Sequence, residues 1–189
     1  RLRRGATKLR DFLVRKPFQI PVSTESLKPL RESNELKHSI IIGYGVAGQS
    51  VAAAFRALKI PYVVLEMNIQ TVKDFSKQGE PIYFGDASRR EILREFHLKQ
   101  AHSVILTVSG ARISASIFRR VRELSKDVPI LARLQYFNDL SMISKSPHGD
   151  FVIAEFESTL ELVAKALRSY RIDTQEIFHK VNQTRQKLS

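Results

Sequence analysis

Cysteine is absent from these 189 residues. That excludes a disulfide scaffold and a cysteine-ligated zinc site, and a reducing compartment fits it. No stretch reaches the roughly 18 consecutive apolar residues of a membrane span. The Arg-rich start is not followed by the apolar run of a signal peptide. Gly-Lys-Ser/Thr does not occur, so P-loop phosphotransfer has no motif. His38, His97, His102, His148 and His179 are scattered and form no His-Glu-x-x-His pattern, so no metal is expected. A Tyr-x-x-x-Lys pair is missing too: Tyr62 leads to Glu66, Tyr136 to Leu140 and Tyr170 to Thr174.

What is present suits a globular chain. The apolar fraction is 43%, the charged fraction 26% and the net charge +12, and the length fits one domain plus appendages. Half of the net charge sits in the first sixteen residues, where seven Lys and Arg face Asp11 alone. Pro17, Pro21 and Pro29 then interrupt a segment without periodicity, which reads as a linker. Residues 1–37 are thus expected to be a basic arm and linker. Such an arm is solvated, binds nucleic acid, or lies beside a membrane on its cytoplasmic side. The prolines argue against a helix-turn-helix reader, so no nucleic acid partner is expected. The chain does not begin with Met, and we read it as a piece of a longer one.

From His38 onward strands and helices alternate. Strands are expected at 39–42, 62–65, 81–84, 103–107, 129–133 and 150–153. Helices are expected at 49–58, 69–77, after a capping box Ser88-x-x-Glu91, and at 112–125 with Ile113, Ile117, Val121 and Leu124 inward. Further helices are expected at 138–145, after a second capping box Ser158-x-x-Glu161 to about Tyr170, and after Asp173. Short apolar strands without polar alternation argue a parallel sheet covered on both faces. The expected fold is therefore α/β: a Rossmann-like doubly wound sheet of order 3-2-1-4-5-6 over 38–154, with C-terminal crossover helices over 155–189.

Gly43-x-Gly45-x-x-Gly48 follows the first strand and opens the first helix, the context a dinucleotide-binding loop needs. Gly43 makes the turn, Gly45 admits phosphate, and Gly48 lets helix and strand approach. The helix N-terminus offers N–H groups and positive dipole to an anion. Glu66 ends the second strand, where an acid accepts ribose hydroxyls and disfavours a 2′-phosphate. Asp86 follows the third strand at the same edge, as a ligand contact, a cap for the next helix, or both.

The run Ile42-Gly-Tyr-Gly-Val-Ala-Gly-Gln49, then Glu66, Phe84-Gly-Asp-Ala-Ser88, Arg133 and Glu155-Phe-Glu-Ser-Thr-Leu-Glu161 resembles the RCK (TrkA-N) regulatory domains of potassium channels and cation:proton antiporters. The Kef-type branch is the most similar. The resemblance spans about His38 to Tyr170. It implies a domain without hydride chemistry, hence no enzyme, that binds AMP or NAD(H), pairs into a homodimer through the late helix, and gates ion flux in an attached membrane domain. It implies a place on the cytoplasmic face of the membrane, and it brings in a glutathione-type effector that no motif here secures. The cofactor-binding set it implies is Gly43, Tyr44, Gly45, Val46, Ala47, Gly48, Glu66, Met67, Gly85, Asp86, Ala87, Thr107, Val108 and Arg133. Leu160, Val163, Leu167 and Tyr170 are either an internal core face or the dimer face, and the resemblance favours the latter. Arg112, Arg119, Arg120 and Arg122 are expected in solvent.

Two alternatives stand beside this reading. One is an NAD-dependent oxidoreductase, for which only His102 and His148 remain as proton carriers. The other is a redox-sensing nucleotide-binding protein that uses the basic arm.

Overall fold

The computed structural model describes residues 37–143 and 149–188. The basic arm, the proline-rich linker and His148 lie outside those residues.

Six strands are laid down in chain order: β1 Ser39–Ile42, β2 Tyr62–Glu66, β3 Ile82–Phe84, β4 Ser103–Leu106, β5 Ile130–Leu134 and β6 Gly149–Ile153. All neighbours pair in parallel, in the order β3-β2-β1-β4-β5-β6. This is the order that right-handed crossovers on both sides of β1 produce. β1 and β4 are buried throughout, because helices cover both faces of the sheet centre. The sequence meets that demand with Ile40, Ile41, Ile42, Val104, Ile105 and Leu106, apolar at every position rather than at alternate ones. β6 is the edge strand and does alternate: Asp150 and Val152 are exposed while Ile153 is buried.

The helices are α1 Val46–Ala57, α2 Ile69–Ser76, α3 Arg90–Glu95, α4 Ala111–Leu124, α5 Ala154–Ser169 and α6 Thr174–Leu188. One core cluster joins Ile41, Val64, Ile82 and Ile105 of the sheet to Ala52 of α1, Val72 of α2 and Tyr44. In register, Ile42 lies between Leu65 and Leu106. The loops that leave β1, β2 and β4 therefore open at one level along the carboxyl edge.

Several local expectations are corrected. α1 begins at Val46, three residues early, because Gly45 itself is the N-cap. The expected inward face of α4 is wrong at Ile113, which is 54% exposed. The buried stripe is Ser114, Ala115, Ile117, Phe118 and Val121. It follows the i, i+3, i+4, i+7 rule through Ser114 and Phe118, whereas choosing by β-branched identity missed them. Two of the four arginines expected in solvent are engaged: Arg120 donates to the Ser88 carbonyl at 2.8 Å, and Arg122 to the Val128 carbonyl at 2.6 Å.

Neither capping box forms. Ser88 donates its hydroxyl to Asp86 at 2.7 Å, and α3 starts two residues later. Ser158 sits inside α5, its hydroxyl on the Ala154 carbonyl at 2.6 Å. α5 starts directly from β6, and the Glu155 N–H is met by the Gln135 carbonyl at 3.1 Å. A tertiary acceptor thus replaces a side-chain cap. The helix expected at 138–145 is a 3-10 turn, Phe137–Met142, anchored where the Asp139 carboxylate accepts the Tyr136 and Gln135 N–H groups. Asp173 does hold the start of α6, accepting the Gln175 N–H at 2.8 Å.

α5 and α6 pack on each other. Leu160 and Ala164 of α5 and Ile177 of α6 are buried. The stripe read as one dimer face is therefore split. Leu160 belongs to the chain's own core, while Val163 and Tyr170 are exposed at 40% and 80%.

Candidate functional site

The glycine loop joins β1 to α1, and each glycine has its own reason. Gly43 turns with φ +97°, and a Cβ there would stand 2.9 Å from Val108 Cγ1. A Cβ on Gly48 would stand 2.1 Å from the Gly43 carbonyl oxygen, which no side chain survives. Gly45 is different: nothing of the protein lies within 4 Å of its Cβ position. Its hydrogen leaves open space above the start of α1 rather than relieving an internal clash. Val46 beside it is 86% exposed.

α1 has no side-chain cap and no acid in its first turn. The N–H groups of Val46, Ala47 and Gly48 have no carbonyl a turn earlier to bond. They face the open ground above Gly45 with the positive end of the helix dipole behind them. By contrast α2 is closed by Asn68, whose side chain accepts the Gln70 and Thr71 N–H groups at 2.9 and 3.1 Å.

Glu66 is tied to this loop. One carboxylate oxygen accepts the Tyr44 N–H at 2.7 Å and the other the Asn68 N–H at 2.7 Å. A carboxylate has about four lone-pair sites, so each oxygen keeps capacity for a ribose hydroxyl. The Tyr44 carbonyl accepts from Gln49 at 3.0 Å, and the Gly43 carbonyl from the Thr107 hydroxyl at 2.9 Å. The loop is thereby fastened to β2, α1 and β4 through its backbone.

The ring of Tyr44 does not face the opening. It is 3% exposed and meets Phe75 edge-on at 4.9 Å between centroids. Burial first, and then the nearby Glu80 carboxylate, push its pKa up to about 12. Glu80 is itself buried and joins the Tyr62 hydroxyl at 2.7 Å to Arg56 at 2.8 Å.

The remaining expected residues divide into four groups. Gly85 is buried, its N–H on the Glu66 carbonyl at 3.0 Å, and Ala87 is 2% exposed. They shape the edge without reaching the opening by a side chain. Asp86 accepts the Ser88 N–H and hydroxyl on one oxygen at 2.9 and 2.7 Å, which makes it a turn residue with its second oxygen in reserve. Met67 is 60% exposed beside Glu66. Val108, which lies against Gly43, and Arg133 line a neighbouring cavity at the carboxyl ends of β4 and β5.

Sequence reading missed Gln49 and Asn68 as loop supports. Asn68 was legible, as an Asn immediately before a helix. Gln49 carried no geometric signal, because its contact is to a turn five residues back. Among the described residues no group of three or more His, Asp and Glu could hold a metal, and no helix is long and apolar enough to cross a membrane.

Comparison with known proteins gives the family. The model of the TrkA-N domain matches residues 39–154. The putative cation/proton antiporter YbaL of Escherichia coli is 28% identical over 120 residues, which cover 64% of this chain and 22% of that protein. Its TrkA-N crystal structure superposes with a TM-score of 0.62, covering 69% of this chain and 99% of that one. The K(+) efflux antiporter 3, chloroplastic, of Arabidopsis thaliana is 26% identical over 147 residues, 73% of this chain and 19% of that one. The Kef CTD of Shewanella denitrificans, solved in an AMP-bound form, has a TM-score of 0.66 at 19% identity, covering 79% of this chain and 91% of that one. The chain spans about a fifth of the length of these curated relatives.

Proposed function

The chain belongs to the TrkA-N domain family, and on that premise we propose that it is the ligand-sensing regulatory domain of a potassium efflux or cation:proton antiporter. It binds an adenine nucleotide, AMP or NAD(H), at the glycine loop and catalyses no reaction. The observation that carries this is the open N-terminus of α1 beside a carboxylate wired to the same loop through the Tyr44 N–H. The phosphate meets the N–H groups of Val46, Ala47 and Gly48. The ribose meets Glu66, whose charge repels a phosphate at the 2′ position.

Ligand and loop are mechanically linked. A ribose hydroxyl on Glu66 redistributes the bonds that hold Tyr44 and Asn68, and a phosphate on α1 pulls on the turn that Thr107 and Gln49 hold. Such changes act on transport only as far as the ligand favours one arrangement of the domain over another. The working unit of this reading is a homodimer on the cytoplasmic face, joined to a membrane-embedded antiporter domain. A second effector, with glutathione tested first, selects between dimer arrangements.

Calorimetric titration with AMP, NAD+, NADH and NADPH tests the binding claim. AMP or NAD(H) is expected to bind and NADPH to bind more weakly. Glu66→Ala removes the acceptor of two backbone N–H groups and is expected to lower affinity about tenfold, equivalent to roughly 1.4 kcal/mol. Failure of every adenine nucleotide to bind would overturn the proposal.

A further inference from the structure

We infer that the amino edge of the sheet, opposite the glycine loop, is a docking surface for an anionic lipid bilayer. In a parallel sheet every segment that leads into a strand opens at the same edge. Here each such segment from β1 to β5 carries one lysine: Lys37 before β1, Lys59 before β2, Lys77 before β3, Lys99 before β4 and Lys126 before β5. All five are exposed, and none makes an ion pair among the described residues. Neighbouring strands stand about 4.8 Å apart, so the lysines line a front of roughly 20 Å. The same segments hold two acids. Glu80 is buried and paired with Arg56 at 2.8 Å, which leaves Asp127 as the exposed one.

Helix ends alone do not account for this front. A cation near a helix C-terminus complements the dipole, but α1 to α4 each have a basic residue in the last turn already: Arg56, Lys73, Arg94 and Arg122. The five lysines lie beyond those turns, and Lys37 follows no described helix. The carboxyl edge has no such bias. Glu66, Asp86 and Asp139 stand there with Arg89 and Arg112.

Two further features of the amino edge suit lipid. Leu58, the C-cap of α1, is 71% exposed directly beside Lys59. An apolar tip next to a cation fits the boundary between headgroups and acyl chains, whereas a nucleic acid backbone would use the lysines and leave Leu58 in water. A hollow of about 170 Å³ is lined by Arg94, His97 and Lys99, with Leu98, Gln100 and Leu124 and no carboxylate. It has room for a headgroup phosphate. The choice of a membrane rests also on the reading above, of a domain attached to a transporter. The chain enters β1 at this edge through Lys37, and the first sixteen residues upstream add seven Lys and Arg. Docked in this way, the domain turns the glycine loop away from the bilayer and leaves it open to nucleotide in water.

The test is binding of the full chain to vesicles of phosphatidylglycerol and phosphatidylcholine at fixed salt. Each lysine near an anionic surface contributes about fivefold, so Lys59→Gln, Lys99→Gln and Lys126→Gln together are expected to weaken binding about a hundredfold. Neutralising Lys165, Lys180 and Arg119, all exposed on other faces, is expected to change it less than tenfold. Leu58→Ser is expected to weaken binding at high salt, where charge is screened. Orientation is read separately. The chain has no cysteine, so Gln100→Cys and Ser109→Cys each carry a single fluorophore, at the amino and the carboxyl edge. Spin-labelled lipid is expected to quench the first and spare the second. Equal quenching at both edges, or equal losses from the two triple variants, overturns the docking surface. So does tighter binding to duplex DNA than to the vesicles at the same salt. AMP titration of the same proteins keeps the two readings apart. The edge variants are expected to bind AMP as wild type does, and absence of AMP binding from wild type strikes the nucleotide reading without touching the vesicle result.

Discussion

At Gly45, stability and binding are expected to move in opposite directions. The residue has extended backbone at φ −72° and ψ −167°, and nothing lies within 4 Å of its Cβ position. Aspartate fits there and is a better N-cap than glycine. Gly45→Asp should raise thermal stability by about 0.5 kcal/mol. It also places a negative charge where the phosphate must sit, and affinity for nucleotide should fall about a hundredfold, roughly 2.7 kcal/mol. Gly48→Ala should act on the fold first. Its Cβ meets a backbone oxygen at 2.1 Å, and a loss of about 3 kcal/mol or more is expected in denaturant melts. The three glycines were legible as a motif. Which one serves the ligand and which two serve the fold was not, because that depends on what stands opposite each Cβ.

Tyr44 shows the same limit. It lies in the loop but serves by its backbone, while its ring serves the core. Its pKa is raised from 10.0 to about 12, so the folded state holds the phenol proton more tightly than the unfolded chain. The stabilisation is complete below about pH 10 and is lost as the pH rises through about 12. Tyr62 is raised as well, by burial and by its bond to Glu80, and contributes in the same direction. Denaturant melts from pH 9 to pH 12 should show stability falling, and Tyr44→Phe should flatten part of that fall.

Among the elements, the six strands and their order were readable because buried parallel strands must be apolar throughout. Helix starts were readable only where the cap is local, as at Asn68 and Asp173. They were misplaced where a tertiary partner takes over, as where the Gln135 carbonyl meets the Glu155 N–H at the start of α5. The α5–α6 pair depends on Leu160, at 2% exposure. Leu160→Ala should cost about 2–4 kcal/mol in denaturant melts and leave nucleotide affinity within about twofold, since the pair does not contribute to the glycine loop. Val163→Glu, on the exposed side of α5, should leave stability within about 0.5 kcal/mol but convert the proposed dimer to monomer in sedimentation velocity.

For the whole molecule, the sheet concentrates open helix starts at one edge. Two uncapped helix N-termini, those of α1 and α4, open on the carboxyl side of the adjacent strands β1 and β4. The reversal of strand order leaves room for ligands there. The sequence announced the first of these helix starts through its glycines. At the second no glycine motif marks the chain, and the resemblance alone named Val108 and Arg133 beside it. A domain that binds one nucleotide at the first helix start and reports it through the loop's ties to β2, α1 and β4 is the central claim. Calorimetric titration of AMP into the wild-type chain and into Gly45→Asp tests it most directly. Saturable one-to-one binding per chain, lost in a Gly45→Asp protein that melts no lower than wild type, is the predicted result. Equal affinity in both proteins, or no binding to the wild-type chain, would contradict it.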